Sequence, residues 1–102
     1  MAGVVSGRNA FQFKTVAVAS TAVDMLTSLG FTQAELDSAY HARITAGAQP
    51  IRFRYDGVAA TAAVGHYLAA NSETEVFSSD NITKLSFIAV STASDVFITL
   101  ER

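Results

Sequence analysis

Residues 51–57, Ile-Arg-Phe-Arg-Tyr-Asp-Gly, constrain the fold more than any other part of the chain. Three apolar side chains, Ile51, Phe53 and Tyr55, alternate with two arginines. This alternation is the period of a strand with one buried face and one solvent-facing face. The Asp-Gly pair that follows is typical of a tight turn, because glycine readily adopts a positive φ. The segment therefore predicts a short β-strand that ends in a turn.

Short alternating segments of this kind recur along the chain and indicate an all-β protein. Half of the 102 residues are hydrophobic and only 16% are charged, which is a globular rather than a disordered composition. One domain of this length buries roughly 60–70% of the surface of its unfolded chain. About seven or eight short strands separated by turn residues predict an antiparallel β-sandwich or a jelly-roll-like barrel with one short helix.

The helix is expected just after Gly30, where two local signals coincide. Thr32 and Glu35 have the spacing of a capping box, and Phe31 and Leu36 have the spacing of a hydrophobic staple. We predict longer strands at residues 11–18, 21–26, 40–45, 50–55, 84–90 and 95–101, a shorter strand at residues 75–77, and an extended piece through Tyr67 and Leu68. Residues 78–81 are predicted to be a turn.

Matching apolar faces predicts two β-hairpins. The first pairs residues 40–45 with 50–55, so that Arg43 lies opposite Arg52 and His41 opposite Arg54. The second pairs residues 84–90 with 95–101, which brings Ile88 and Phe97 together on the outer face, with Val90 nearby, and sets Lys84 against Glu101.

These hairpins lead to two predictions about interfaces. An apolar pair on an outer face is typical of a subunit contact, so we expect Ile88, Val90 and Phe97 to lie in an interface. Like charges directly opposite each other are destabilising. We therefore expect the arginines of the first hairpin to meet carboxylates from outside it, either on another strand or on another chain; they are Arg43, Arg52 and Arg54, and the candidate acids are Asp24, Glu73 and Glu75.

The first ten residues differ in character from the rest. Residues 1–10 contain two glycines and little apolar bulk, so we expect a flexible N-terminal arm that orders only against a neighbouring subunit or a larger assembly. Residues 11–102 are expected to form the single sandwich domain.

Charge and composition exclude several classes of protein. The formal net charge of -2 argues against a general nucleic-acid-binding protein, which is usually basic. The absence of cysteine excludes disulfides, thiolate metal sites and a thiol nucleophile. No apolar run reaches the roughly 18 residues of a membrane span, and the N-terminus lacks the order of a signal peptide.

No catalytic, cofactor-binding or metal site is predicted, so we expect a protein that is not an enzyme and needs no cofactor. His41 and His66 lack the neighbours of a metal-ligand motif, and structural or surface roles are expected for both. Serine and aspartate at residues 20–24 and 78–80 fit turns rather than a triad. Core packing is the favoured interpretation for four aromatic residues, Tyr40, Phe53, Tyr55 and Tyr67. The alternative is that they form an aromatic platform that binds a sugar.

The second half of the chain resembles small structural proteins encoded in the virion gene clusters of tailed phages. The resemblance covers residues 38–101 and includes the strand and Asp-Gly turn at 51–57, a Thr-x-x-x-Gly-His motif at 61–66, Asn81-Ile82 and the strand at 85–90. It implies a β-sandwich accessory component of the virion, above all a capsid decoration (cement) protein. Such a protein self-associates, with a homotrimer favoured, binds the major capsid protein or another virion protein, and is assembled in the cytoplasm of the bacterial host. Neck or tail-attached proteins, and a carbohydrate- or receptor-binding module, remain alternatives.

Overall fold

Two four-stranded antiparallel sheets pack face to face in the computed structural model, which describes residues 9–102. The elements are β1 Ala10–Val18, β2 Val23–Asp24, α1 Gln33–Ser38, β3 His41–Ala46, β4 Ile51–Arg54, β5 His66–Leu68, β6 Glu73–Phe77, α2 Ser79–Thr83, β7 Ser86–Ala89 and β8 Ser94–Glu101. Sheet A has the order β1-β8-β3-β6, and sheet B has the order β2-β7-β4-β5. The predicted all-β sandwich is confirmed.

The core lies between the two sheets, where alternate side chains of each strand point inward. Ile44 and Ile98 of sheet A and Ile51 and Phe87 of sheet B are inaccessible to solvent. Phe31 and Leu36, from the α1 region, join the same cluster, as does Ile82 of α2. Helices and sheets therefore share one hydrophobic core.

The α1 helix begins as the sequence predicts. The Thr32 hydroxyl accepts a hydrogen bond from the backbone N–H of Glu35, and the Glu35 carboxylate accepts one from the backbone N–H of Thr32. These bonds satisfy two donors that the first turn of a helix leaves open. The backbone bond from Thr32, with a further bond from the Gln12 side chain, lowers the pKa of Glu35.

A second helix, α2, lies where a turn was predicted. The Ser78 hydroxyl accepts from the backbone N–H of Asn81, so Ser78 is the N-cap, and its φ of 72° places it in the left-handed region. The helix has only five residues, and serine and asparagine are typical of both turns and caps. Its buried residue Ile82 is the feature that ties it to the core.

The predicted hairpin between residues 40–45 and 50–55 is wrong, because β3 and β4 belong to different sheets. β3 pairs with β6 and β8, whereas β4 pairs with β5 and β7. The chain crosses between the sheets at Gly47, whose N–H donates to the Asp95 carbonyl at 2.8 Å. A Cβ there would lie 3.1 Å from the same oxygen, which explains the glycine. Ile44 and Ile51 face the core from opposite sheets, so Arg43 does not oppose Arg52, nor His41 Arg54.

The predicted hairpin between residues 84–90 and 95–101 is wrong for the same reason. β7 lies in sheet B between β2 and β4, while β8 lies in sheet A between β1 and β3. Ile88 pairs with Arg52, and Phe97 pairs with Thr15 and Thr45, so the two apolar side chains lie on opposite outer faces of the sandwich. They cannot form one patch. An interface role for each of them separately stays a prediction.

Most of the predicted arm, residues 1–8, lies outside the described residues. Asn9 and Arg102 exchange two backbone hydrogen bonds of 3.0 and 2.9 Å, and Ala10 opens β1 opposite Glu101. The sheet therefore includes the last residue of the predicted arm.

Candidate functional site

The outer face of sheet A divides into two halves of different chemistry. The registers of β1, β8, β3 and β6 align outward-facing residues in rows across the sheet. One row consists of Phe13, Thr99, Arg43 and Glu75. The next row consists of Thr15, Phe97, Thr45 and Glu73. We call the first half the uncharged patch; it consists of Phe13, Thr15, Ala17, Thr45, Phe97 and Thr99. We call the second half the ion network; it consists of His41, Arg43, Glu73, Glu75 and Glu101.

The uncharged patch is centred on two stacked phenylalanines. The rings of Phe13 and Phe97 lie 6.5 Å apart between centroids, with an interplanar angle of 14°. Phe13 sits on the edge strand β1 with 55% of its surface exposed, whereas Phe97 lies in the interior strand β8 and is partly exposed. Six neighbouring outward positions thus carry no charge, and two of them present aromatic rings to solvent. The exposed Asp95, opposite Ala17 on the same face, borders them.

Arg43 holds the exposed part of the ion network together. Its Nη1 lies 2.8 Å from Glu73 Oε2 and 3.0 Å from Glu75 Oε2, and its Nε lies 3.7 Å from Glu101 Oε2. The hydrogen bond to Glu73 is the main reason that the pKa of Arg43 is raised. The prediction that Arg43 contacts carboxylates of another strand is confirmed. Glu73 and Glu75 were both among the predicted candidates.

His41 forms the buried part of the ion network. Its side chain is inaccessible to solvent, and its Nδ1 lies 2.6 Å from Oε1 of Glu101, which is itself buried. Its Nε2 lies 2.9 Å from Glu75 Oε1 without the geometry of a hydrogen bond. The ring also packs on Phe77 at 4.8 Å. His41 thus has a structural role. The predicted Lys84–Glu101 pairing is wrong, because Lys84 is the C-cap of α2 and Glu101 pairs with His41 in sheet A.

Arg52 bonds to backbone carbonyls rather than to the predicted carboxylates. Its Nε donates to the Ala62 carbonyl at 2.9 Å and its Nη1 to the Gly65 carbonyl at 3.1 Å, while the guanidinium lies 5.5 Å from the Tyr67 ring centre. These contacts hold the loop of residues 56–65 over the outer face of sheet B. Ile88 is only 6% exposed there. Val90 lines a surface hollow together with Ile88 and is partly exposed.

Arg54 pairs with Asp56, in the turn at the end of its own strand. Its Nε lies 3.0 Å from Asp56 Oδ1, and its Nη2 bonds Oδ2. The hydrogen bond from Arg54 lowers the pKa of Asp56 to about 2. The prediction of a partner from outside the hairpin is therefore wrong for Arg54.

The aromatic residues assigned to the core divide differently from the prediction. Phe53 is buried, but Tyr40, Tyr55 and Tyr67 are exposed. Strand alternation correctly placed Tyr55 on the inner side of sheet B, since it follows β4 in phase with Phe53. It could not show that the core ends there and that the ring lies at its rim.

Neither α1 nor α2, the helices of the described region, is long and apolar enough to cross a membrane. Within residues 9–102, no group of three or more His, Asp or Glu side chains is arranged to hold a metal ion. Comparison of the chain with protein-family models, with curated proteins and with solved structures found no match.

Proposed function

We propose that this chain is a structural protein of a tailed-phage virion, a capsid decoration (cement) protein that self-associates and binds the capsid surface. Its place would be the virion, after assembly in the bacterial cytoplasm. The observation that carries the self-association step is the uncharged patch of sheet A.

The patch has the chemistry of a protein–protein interface. Interface cores are depleted in charged residues and enriched in aromatic ones, and exposed apolar patches on small soluble proteins mark interaction sites. Here the stacked rings of Phe13 and Phe97 adjoin threonine and alanine side chains, and the exposed Asp95 lies at the end of the patch, opposite Ala17. A second copy with the same surface could bury these rings while Asp95 stays at the rim, which favours a homo-oligomer.

The resemblance of residues 38–101 to virion accessory proteins supports the larger assembly. Within that region, the strand of residues 51–54 and the Gly57 turn, with a φ of 87°, correspond to the features on which the resemblance rests. The resemblance favours a trimer, with the major capsid protein as the principal partner.

Phe13→Glu should shift the protein from a trimer toward a monomer in solution. Phe13 lies on an edge strand and is mostly exposed, so a charge there leaves the fold intact but must be buried when two copies associate. We expect at least a tenfold loss of association, about 1.4 kcal/mol. Light scattering after gel filtration at about 10 µM protein measures the mass directly.

Val58→Glu is the matched control, since it adds the same charge at a similarly exposed site outside sheet A. Phe97→Thr, which removes the second ring but keeps a good strand former, should weaken association as Phe13→Glu does. A wild-type protein that is monomeric at this concentration, or a Phe13→Glu protein that keeps the wild-type mass, would contradict the proposal.

A further inference from the structure

A groove lies at the side of the sandwich that is formed by β5, an edge strand of sheet B, and β6, an edge strand of sheet A. It encloses about 440 Å³, within the usual range of about 300–1,000 Å³ for small-molecule sites. We call it the aromatic groove. Its lining includes Phe53, Tyr55, His66, Leu68, Thr74 and Asn81. A second hollow of about 440 Å³ is also lined by Tyr55 and His66.

Three aromatic rings pack against one another in this groove. Tyr55 stacks on His66 at 5.5 Å and 17° and on Phe53 at 6.4 Å and 24°, whereas Phe53 and His66 lie 5.3 Å apart with a tilt of 39°. Phe53 is buried and anchors the stack, while Tyr55 is 39% exposed and His66 is exposed. The result is an aromatic surface in which the buried Phe53 ring supports the solvent-accessible rings of Tyr55 and His66.

The chain holds this surface in place before any ligand arrives. Gly65, directly before His66, has a φ of 148°, and a Cβ there would lie 3.1 Å from the Phe53 carbonyl oxygen. Arg52 binds the Gly65 carbonyl from the other face of the sheet. A preorganised platform loses little entropy on binding, which favours even a small ligand.

The charges around the two hollows are paired, with an excess of carboxylates. Arg54 and Asp56 neutralise each other, whereas one guanidinium, that of Arg43, is shared by Glu73, Glu75 and Glu101. A phosphate would find no unmatched cation among these side chains, and the carboxylates of the groove already contact Arg43, so the arrangement favours a neutral ligand. The groove nevertheless has polar groups beside the rings, since Thr74, Asn81 and His66 can form hydrogen bonds.

We propose that the aromatic groove binds a neutral saccharide. The C–H face of a pyranose ring can pack on Tyr55 and His66, while its hydroxyl groups bond with Asn81, Thr74 and the imidazole. The Asn81 amide already donates to the Phe77 carbonyl, but a purely apolar side chain would offer no partner to its Oδ1 or to the imidazole, which disfavours a simple hydrophobic anchor. The groove lies beside β5 and β6, whereas the phenylalanines of the uncharged patch lie on β1 and β8, so separate variants test saccharide binding and self-association.

Titration of the ¹⁵N-labelled protein with maltose, cellobiose and N,N′-diacetylchitobiose tests the proposal by NMR. We expect at least one of these disaccharides to shift the amide signals of residues 53–55, 65–68 and 74–76, with a dissociation constant of about 1 mM. Tyr55→Ala and His66→Ala should each weaken binding about tenfold or more, because each removes one exposed ring of the stack. Leu26→Ala, at an exposed apolar site outside both the groove and the uncharged patch, should bind as the wild type does.

His66→Ala keeps the test decisive if Tyr55→Ala fails to fold, since the His66 side chain is exposed. The proposal is overturned if none of the three sugars shifts the groove signals at about 20 mM, well above the expected dissociation constant. It is equally overturned if Tyr55→Ala, His66→Ala and Leu26→Ala bind alike, or if glucose 6-phosphate binds better than glucose. A change of oligomeric mass in Tyr55→Ala would also overturn it, because the groove would then be a contact between copies.

Discussion

Replacement of His41 by alanine is expected to lower the free energy of unfolding by about 2–4 kcal/mol. His41 is fully buried and its Nδ1 lies 2.6 Å from the buried Glu101 carboxylate. Removing one partner of a buried polar pair leaves the other without its hydrogen bond in a site that water does not reach, and the imidazole also leaves a cavity. Urea denaturation of the two proteins, followed by circular dichroism, measures the difference.

Arg43→Gln is the matched control within the ion network. Arg43 makes three carboxylate contacts, but two of the acids are well exposed, and exposed pairs are worth roughly 0–1 kcal/mol each. We expect a loss of about 1 kcal/mol, smaller than that of His41→Ala. Equal losses for the two variants would mean that the buried His41–Glu101 contact is not the stabilising part of the network.

Phe87→Ala is expected to cost about 3–5 kcal/mol of stability. Phe87 is inaccessible to solvent and lies in β7, between β2 and β4, where it faces the core beside Phe53. Alanine would leave a cavity between the sheets that the surrounding strands cannot fill. The same denaturation experiment measures this loss.

Phe97→Ala provides the comparison, because it removes the same side chain from the outer face of sheet A. Phe97 is partly exposed and packs on one ring, that of Phe13, so we expect a loss of about 1 kcal/mol for the subunit fold. A loss at Phe97 as large as that at Phe87 would show that the two faces of sheet A have been assigned the wrong way round.

Local features of this fold are predictable from sequence, and long-range pairing is not. The capping box of Thr32 and Glu35 acts over three residues, so the start of α1 could be predicted. The alternation of residues 51–54 likewise gave the strand and its faces. Which strands are neighbours depends on the path of the chain. Apolar faces match as well across the core of a sandwich as along one sheet, which is why both hairpins were wrong.

The candidate sites follow the same division. Glu73 and Glu75 were predicted as partners of Arg43 from a hairpin that set Arg43 opposite Arg52. That hairpin is wrong, but the need of a strand arginine for a counter-charge does not depend on it. The contact between His41 and Glu101 joins residues 60 positions apart and depends on β3 lying beside β8, which no local pattern shows. The open position of Tyr55 likewise depends on where the opposing sheet ends. One sequence signal could have indicated the groove: Tyr55 and His66 are aromatic residues that flank the loop of residues 56–65.

Co-sedimentation with capsid shells tests the central claim most directly. The proposed function requires a major capsid protein encoded in the same genome as this chain. Shells of that protein are mixed with increasing amounts of this protein and pelleted. If the protein decorates capsids, it will pellet with the shells and saturate at a fixed ratio to the capsid subunit, and Phe13→Glu will bind less than Val58→Glu. A protein that stays in the supernatant at every concentration would contradict the proposed function.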